Sequence, residues 1–284
     1  MQQQAYQPIW QLSQGQLNLL TSCPRKFQHR YLDQIDPSLG LETQSHQRLG
    51  TQFHQLMQQQ ALGLEIQPLI AAHPPIQTWF DSFAQFPPPM IRGEHLSEYH
   101  RWGWLEGYLL VAIYDLLILN PEQAQVLDWK SYARPRQDIE LRQNWQTRLY
   151  LYLLAETSDY APEQISMTYW FAEAPELGRA NTLTFAYDQT LHAQTHQELR
   201  GWLSQLRDWC QAYARGEDFP QVPLTAQQCY TAWGCCPFVN RCQREQQQTT
   251  KLARQVAWAD IEAIAELALD PEVNPMGEAQ EPLL

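Results

Sequence analysis

Eleven consecutive residues, Leu109–Leu119, are apolar apart from one carboxylate, Asp115. A run of this length is too short to cross a bilayer. It reads as a buried strand, and a carboxylate inside one needs a cation or a hydrogen-bonding partner. Pro121 and Glu122 then turn the chain, and a second β-rich run, Gln125–Trp129, ends in LDWK. On a strand, residues i and i+2 share a face, so Asp128 and Lys130 project together. Antiparallel pairing through the Asn120–Gln123 turn would bring Asp115 near Asp128. Two carboxylates and a lysine on one face make a hard-cation site with a basic group beside it. Oxygen ligands of this kind suit magnesium or manganese. Such an ion can polarise a phosphoryl oxygen and generate a hydroxide nucleophile.

The rest of the chain supplies the frame. Ser13 can cap a helix over Gln14–Thr21, and Pro24 can open another over Pro24–Leu32. Leu49, Phe53, Leu56 and Met57 give Ser45–Leu62 a helical period, and a further helical piece spans Ile76–Phe86. His95–Trp102 is a third strand beside Tyr108–Leu119 and Gln125–Trp129. Asn144–Glu156 returns to helical spacing, Gln164–Ala172 and Asn181–Ala186 read as strands, and Leu191–Arg215 as a long helix. The expectation is an α/β chain with a central mixed β-sheet flanked by helices. A Cys-rich loop, Cys229–Cys242, follows, with a last helix over 246–268 and an acidic, disordered tail over 269–284.

Charge looks at first unfavourable for a nucleic-acid partner. The 284 residues carry a formal net charge of −12. Seven of the acids and no Lys or Arg fall from Gln255 onward, which leaves −5 for the remainder. Arg25, Lys26, His29 and Arg30 form a locally basic stretch, as do Arg134, Arg136, Arg142 and Arg148. No basic, then apolar leader opens the sequence, so the expected compartment is the cytoplasm, with no membrane partner.

These segments, in this order, resemble the PD-(D/E)XK nuclease superfamily, and within it the RecB-type exonuclease branch. That branch includes the AddB nuclease domain and the CRISPR-associated single-strand exonucleases. LSQGQLNLLTSCPRKFQHRYL is similar to the branch's opening signature, with Gly15 in place of its second Ser. LGTQFHQLM matches its G-x-x-x-H helix, which implies His54 as a metal ligand. EYHRWGWLEGYLLVAIYDLL looks like the strand pair leading to the first metal carboxylate, here Asp115, with Ala112 where the family usually has Gly. LDWK is similar to the D-Y-K core. It implies Asp128 as the second metal carboxylate, the Trp129 backbone carbonyl as a further ligand and Lys130 as the catalytic lysine. QTRLYLY matches the trailing Q-x-x-x-Y helix and implies Gln146 and Tyr150 beside the lysine and the substrate backbone. Glu98 is a candidate accessory acid. Arg25, Lys26 and Arg30 are candidate phosphate contacts.

The resemblance implies a restriction-endonuclease-like nuclease domain over 1–245. Its activity would be metal-dependent hydrolysis of DNA phosphodiester bonds with Mg2+ or Mn2+. The implied substrate is single strands or ends, in repair, recombination or defence, with a helicase or other partner protein possible. The alternative is a non-catalytic DNA-binding or scaffold subunit of such a complex. A fused helicase motor is excluded within the chain, which has no G-x-x-x-x-G-K-[ST] loop.

Four of the six cysteines fall within fourteen residues, which reads as metal or cluster ligation. Related nucleases often hold a 4Fe-4S cluster with one early Cys and three near the C-terminus. The resemblance places Cys23, Cys236 and Cys242 in such a set, clamping the two ends of the domain. Trp233 stands where the pattern has its remaining Cys. Cys229 is the preferred substitute, with Cys235 as the alternative. Zinc, or no metal, are the other outcomes for the same residues, and Cys210 reads as a core thiol.

Overall fold

A computed structural model of the chain describes residues 11–36, 41–173, 181–223, 228–231 and 234–244. The expected helix over 246–268, the tail over 269–284 and Trp233 lie outside these.

The element order explains where the site forms. A two-residue strand, β1 (Gln11–Leu12), leads into α1 (Gln14–Ser22), whose start is closed by Ser13 N–H donating to Gln16 Oε1 at 2.8 Å. Pro24, whose missing N–H costs nothing at a first helical position, opens α2 (Pro24–Phe27). The expected single helix over Pro24–Leu32 is not regular: from Gln28 to Leu32 it widens into a π turn, with Asp33 N–H bonded to Gln28 O at 2.9 Å. The Gln28 side chain is drawn toward the C-terminal segment, where its Nε2 donates to Asp218 and its Oε1 accepts the Phe219 N–H. Then come α3 (Leu41–Ala61), α4 (Gln67–Ala71) and α5 (Pro74–Gln85). The short α4 is missing from the sequence-based expectation because five residues carry too little periodicity to stand out.

Two long strands, β2 (Glu94–Leu105) and β3 (Tyr108–Leu119), form a hairpin. Glu106 and Gly107, with φ of 51° and 87°, make its turn. Both positive φ values suit the right-handed strand twist. β4 (Ala124–Lys130) folds back antiparallel on β3, in register Leu116↔Leu127. Asn120 Oδ1 holds that turn by accepting the N–H groups of Glu122 and Gln123 at 2.9 and 2.8 Å. The expected helix from Asn144 is preceded by a separate short one, α6 (Asp138–Gln143). Asn144 stays extended and caps α7 (Trp145–Glu156) by accepting the Gln146 N–H at 2.8 Å. β5 (Ile165–Phe171) pairs parallel with β4, and β6 (Thr182–Ala186) pairs antiparallel with β5. Asp188 caps the long α8 (Gln189–Tyr213), two residues earlier than expected. A small hairpin, β7 (Tyr230–Thr231) and β8 (Gly234–Cys235), carries Cys235 and is flanked by Cys229 and Cys236.

The sheet runs β1-β3-β4-β5-β6, with β2 also on β3, and is therefore mixed as expected. Each face buries its own core. On one side α1, α7 and α8 pack against Leu110, Ala112, Tyr114, Leu117 and Val126. On the other, α3 and α5 pack Phe53, Met57, Trp79 and Phe80 against Leu116, Ile118, Leu127 and Trp129.

Candidate active site

The site lies where β3 and β4 separate, with His54 reaching it from the α3 side and Asp128, Lys130 and Gln146 from the α7 side. The backbone pairing of the two strands ends at Leu116↔Leu127. The next β4 amide but one, Trp129 N–H, donates to Asp115 Oδ2 at 2.7 Å instead. The sheet thus uses one carboxylate oxygen of Asp115 to satisfy a backbone donor and leaves the other, Oδ1, 3.1 Å from His54 Nδ1. His54 reaches the strand from α3, next to Phe53, which anchors that helix turn in the core.

Glu98 comes from β2. Ser97 pairs with Leu116 and Tyr99 with Tyr114, so Glu98 stands opposite Asp115. Its φ of 49° is unusual for a non-glycine residue. Leu96 and Tyr99 both pack on the α7 side, so this distortion turns Ser97 and Glu98 together toward the other face. Donor atoms of His54, Glu98 and Asp115 all lie within 4.8 Å of one another. Burial and the charge of Asp115 push the Glu98 carboxyl up to about 7, against the lowering effect of His54. For His54, burial pulls the pKa down, but Asp115, through charge and hydrogen bond, with Asp128 and Glu98, brings it to about 9. The pocket therefore strongly favours positive charge. The sequence marked Glu98 only as an accessory; the strained backbone that aims it leaves no sequence signal.

The expected single face for Asp115, Asp128 and Lys130 is not formed: a second group lies on the α7 side of the same gap, with Asp128 acting on His54 through charge. Lys130 Nζ is 3.0 Å from Asp128 Oδ1, and the two residues are 5% and 2% exposed. Gln146 bridges them: its Oε1 accepts from Lys130 Nζ at 2.7 Å and its Nε2 donates to Asp128 Oδ2 at 2.7 Å. The shared strand face read from D-x-K is thus realised. The Lys130 ammonium also faces the rings of Tyr169 and Tyr132, at 5.5 and 5.9 Å. Tyr150 is buried one helical turn beyond Gln146. Its ring packs edge-on to Tyr114, whose hydroxyl donates to the Tyr150 carbonyl at 2.9 Å.

The basic stretch behaves differently from a free phosphate-binding face. Arg25 donates from Nε to the Phe219 carbonyl at 2.7 Å and pairs with Asp218 at 2.9 Å. Arg30 pairs with Asp36. Arg25 thus ties α2 to the segment after α8.

That tie leads to the cysteines. Cys23, at the junction of α1 and α2, lies within electrostatic reach of Cys236 and Cys242, and Cys229 within reach of Cys242. Burial, then the neighbouring thiols, hold the Cys242 thiol above its usual range. Burial does the same at Cys236, opposed by a backbone hydrogen bond and by Lys26. Cys236 N–H donates to Cys229 O at 2.8 Å, which fixes the loop. Cys235 is exposed. One neighbour was not expected: His29 Nε2 is 3.7 Å from Cys242 Sγ, while its Nδ1 lies 2.6 Å from Asp33. Cys210 is half-buried on α8, where burial pushes its thiol up to about 11.

A family model described as the PD-(D/E)XK nuclease superfamily matches residues 11–243. No curated protein matches. Among solved structures, one from Eubacterium rectale, named as a candidate exonuclease, is 10% identical. It covers 92% of this chain and 97% of its own, with a TM-score of 0.49. Another, SSO0001, is 12% identical over 75% of this chain and 79% of its own, with a TM-score of 0.31. Likenesses this distant say nothing about substrate.

Proposed function

The chain belongs to the PD-(D/E)XK nuclease superfamily, and from that premise we propose that it is a divalent-metal-dependent deoxyribonuclease acting on single strands or ends. The observation that carries this reading is the pair of adjacent groups, His54–Glu98–Asp115 and Asp128–Lys130–Gln146.

The donor set fits a hard divalent cation. One imidazole and two carboxylates converge within 4.8 Å, and both titratable neighbours of Asp115 hold protons more tightly than usual. A cation would take the place of that held positive charge. When bound, it supplies Lewis acidity toward a phosphoryl oxygen and an acidified water. His54, Glu98 and Asp115 would hold it, with Asp128 and the Trp129 carbonyl as the further ligands that the family pattern implies. Lys130, oriented by Gln146 and Asp128, positions the attacking water and offsets charge growing on the phosphate. Tyr150, one turn beyond Gln146, packs on Tyr114 and fixes α7 against β3. Arg25, Lys26 and Arg30 stay candidate phosphate contacts, although Arg25 and Arg30 already hold carboxylate partners.

The mutual influence of Cys23, Cys236 and Cys242, and of Cys229 and Cys242, supports a four-thiolate group at these residues, with a 4Fe-4S cluster preferred over zinc. Such a group would clamp α1 and α2 to the C-terminal segment, where Arg25 and Gln28 already bridge the two. We place the protein in the RecB/AddB-type branch, in the cytoplasm, serving repair, recombination or defence beside a partner such as a helicase. Among the described residues no helix is long and apolar enough to cross a membrane.

The test is cleavage of end-labelled single- and double-stranded DNA with magnesium or manganese, each with and without a chelator. Metal-dependent products support the reading. Binding without cleavage under every condition supports the scaffold alternative instead.

A further inference from the structure

Beyond the metal site, the β2–β3 hairpin continues as an open shelf. Tyr99 and Leu105 pack toward α7, and a Cβ added at Gly103 would meet Leu153 of α7 at 3.1 Å. Strand alternation therefore puts Glu98, His100, Trp102 and Trp104 together on the opposite face. Cross-strand register places Ile113, Val111 and Leu109 beside His100, Trp102 and Trp104. This is the face of Asp115 and His54. The three apolar β3 residues are only partly covered, His100 is exposed, and Trp102 and Trp104 are 60% and 61% exposed. Two exposed tryptophans on one strand face cost solvation, so something repays them.

We propose that this shelf is a base-stacking platform for the single-stranded end of a nucleic-acid substrate whose scissile phosphate sits at the metal site. The inference rests on the nuclease reading and adds the path of the strand. Three observations choose this occupant.

The first is continuity. At about 3.3 Å per residue, Trp102 lies roughly 13 Å and Trp104 roughly 20 Å from Glu98 along one strand. The two rings are about 6.6 Å apart along it, close to the reach of one extended nucleotide. Successive bases could each take one ring. The second is charge. The chain has 31 Asp and Glu residues, yet none lies in 99–105 or 108–114. At the hairpin tip the single carboxylate, Glu106, is paired with Arg200 and approached by Arg207. A polyanion thus meets no acid along these two strand segments, and the tip carboxylate is already paired from the α8 side. The third is the need itself. A protein of net charge −12 gains little from phosphate attraction across its surface. Stacking is tolerant of sequence and supplies affinity of a different kind.

The experiment uses the full-length protein and its Trp102→Ala/Trp104→Ala variant, both checked by circular dichroism and thermal melting. Binding of fluorescein-labelled oligothymidylates of two and eight nucleotides is read by anisotropy in a chelator, so nothing is cut. Stacking on alanine-scanning scales corresponds to roughly 5- to 150-fold in Kd per ring. The wild type should bind the eight-mer at least about tenfold more tightly than the two-mer, and the variant should lose that preference. Affinity for the eight-mer within about twofold of wild type in the variant overturns the proposal. So does a dimer that becomes a monomer on substitution with DNA binding unchanged, because a second copy is then the occupant. Trp-dependent binding without cleavage in magnesium or manganese would remove the nuclease reading and leave the platform. Cleavage with Trp-independent binding would do the reverse.

Discussion

Replacing Lys130 by Met removes the charge that Asp128 faces while keeping most of the side chain's volume. The penalty should therefore be electrostatic and not a cavity effect. Both partners are almost fully buried and 3.0 Å apart. Losing one partner of a buried pair costs about 3–5 kcal/mol, out of the roughly 5–15 kcal/mol that holds a typical domain. With a urea m-value near the top of the range, about 3 kcal/mol/M, the midpoint should fall by roughly 1–2 M. The partners are not equivalent. In Asp128→Asn, Lys130 keeps the Gln146 oxygen and the faces of Tyr169 and Tyr132, so that variant should lose less. In the Asp128→Asn/Lys130→Met double variant no charge of the pair is stranded, and stability should recover part of the Lys130→Met loss. Urea titrations followed by tryptophan fluorescence give all four values. A Lys130→Met protein within about 0.5 kcal/mol of wild type, or a double variant less stable than the sum of the singles, would show that the pair is not the buried unit described.

Other substitutions separate stability from chemistry. Glu98→Gly relieves a positive φ and removes a site carboxylate. It should leave stability unchanged or raised by up to about 1 kcal/mol while cutting metal-dependent cleavage at least tenfold, read by melting and by a gel assay. Asn144→Ala removes the cap of α7 and the acceptor for Asn18 Nδ2 at 2.9 Å. A loss of about 1–2 kcal/mol and slower cleavage are expected, since α7 carries Gln146; unchanged unfolding midpoints would contradict the cap's role. Anaerobically purified wild type and Cys235→Ser should both show broad visible absorption with bound iron, and Cys229→Ser should lose it. The reverse order would exchange the two cysteines, and zinc in place of iron would change the group.

What the sequence disclosed and what it hid follow from the range of the interactions involved. Asp128 and Lys130 are two residues apart on one strand, so period-two geometry alone brings them together. Asp115 and Asp128 needed only a tight turn between two apolar strands. His54 and Gln146 come from helices far along the chain, and no local pattern says that they meet the strands; their order within a family signature did. Glu98 was the hardest to read, because its place depends on a left-handed backbone residue inside a strand that otherwise alternates normally. Helix starts shifted by one or two residues where a cap, Asn144 or Asp188, outweighed apolar spacing. Arg25 and Arg30 read as phosphate contacts because their partners Asp218 and Asp36 are chosen by the fold, not by spacing.

The most direct measurement is cleavage by Asp115→Asn. The amide oxygen can still accept the Trp129 N–H, so the sheet junction is kept while the carboxylate charge at the metal group is lost. Wild type should cut single-stranded DNA in manganese and stop when a chelator is added. The variant, folded by circular dichroism, should cut at least about a hundredfold more slowly. Equal rates for the two proteins, or wild-type cleavage that persists in the chelator, would contradict the assignment of this site.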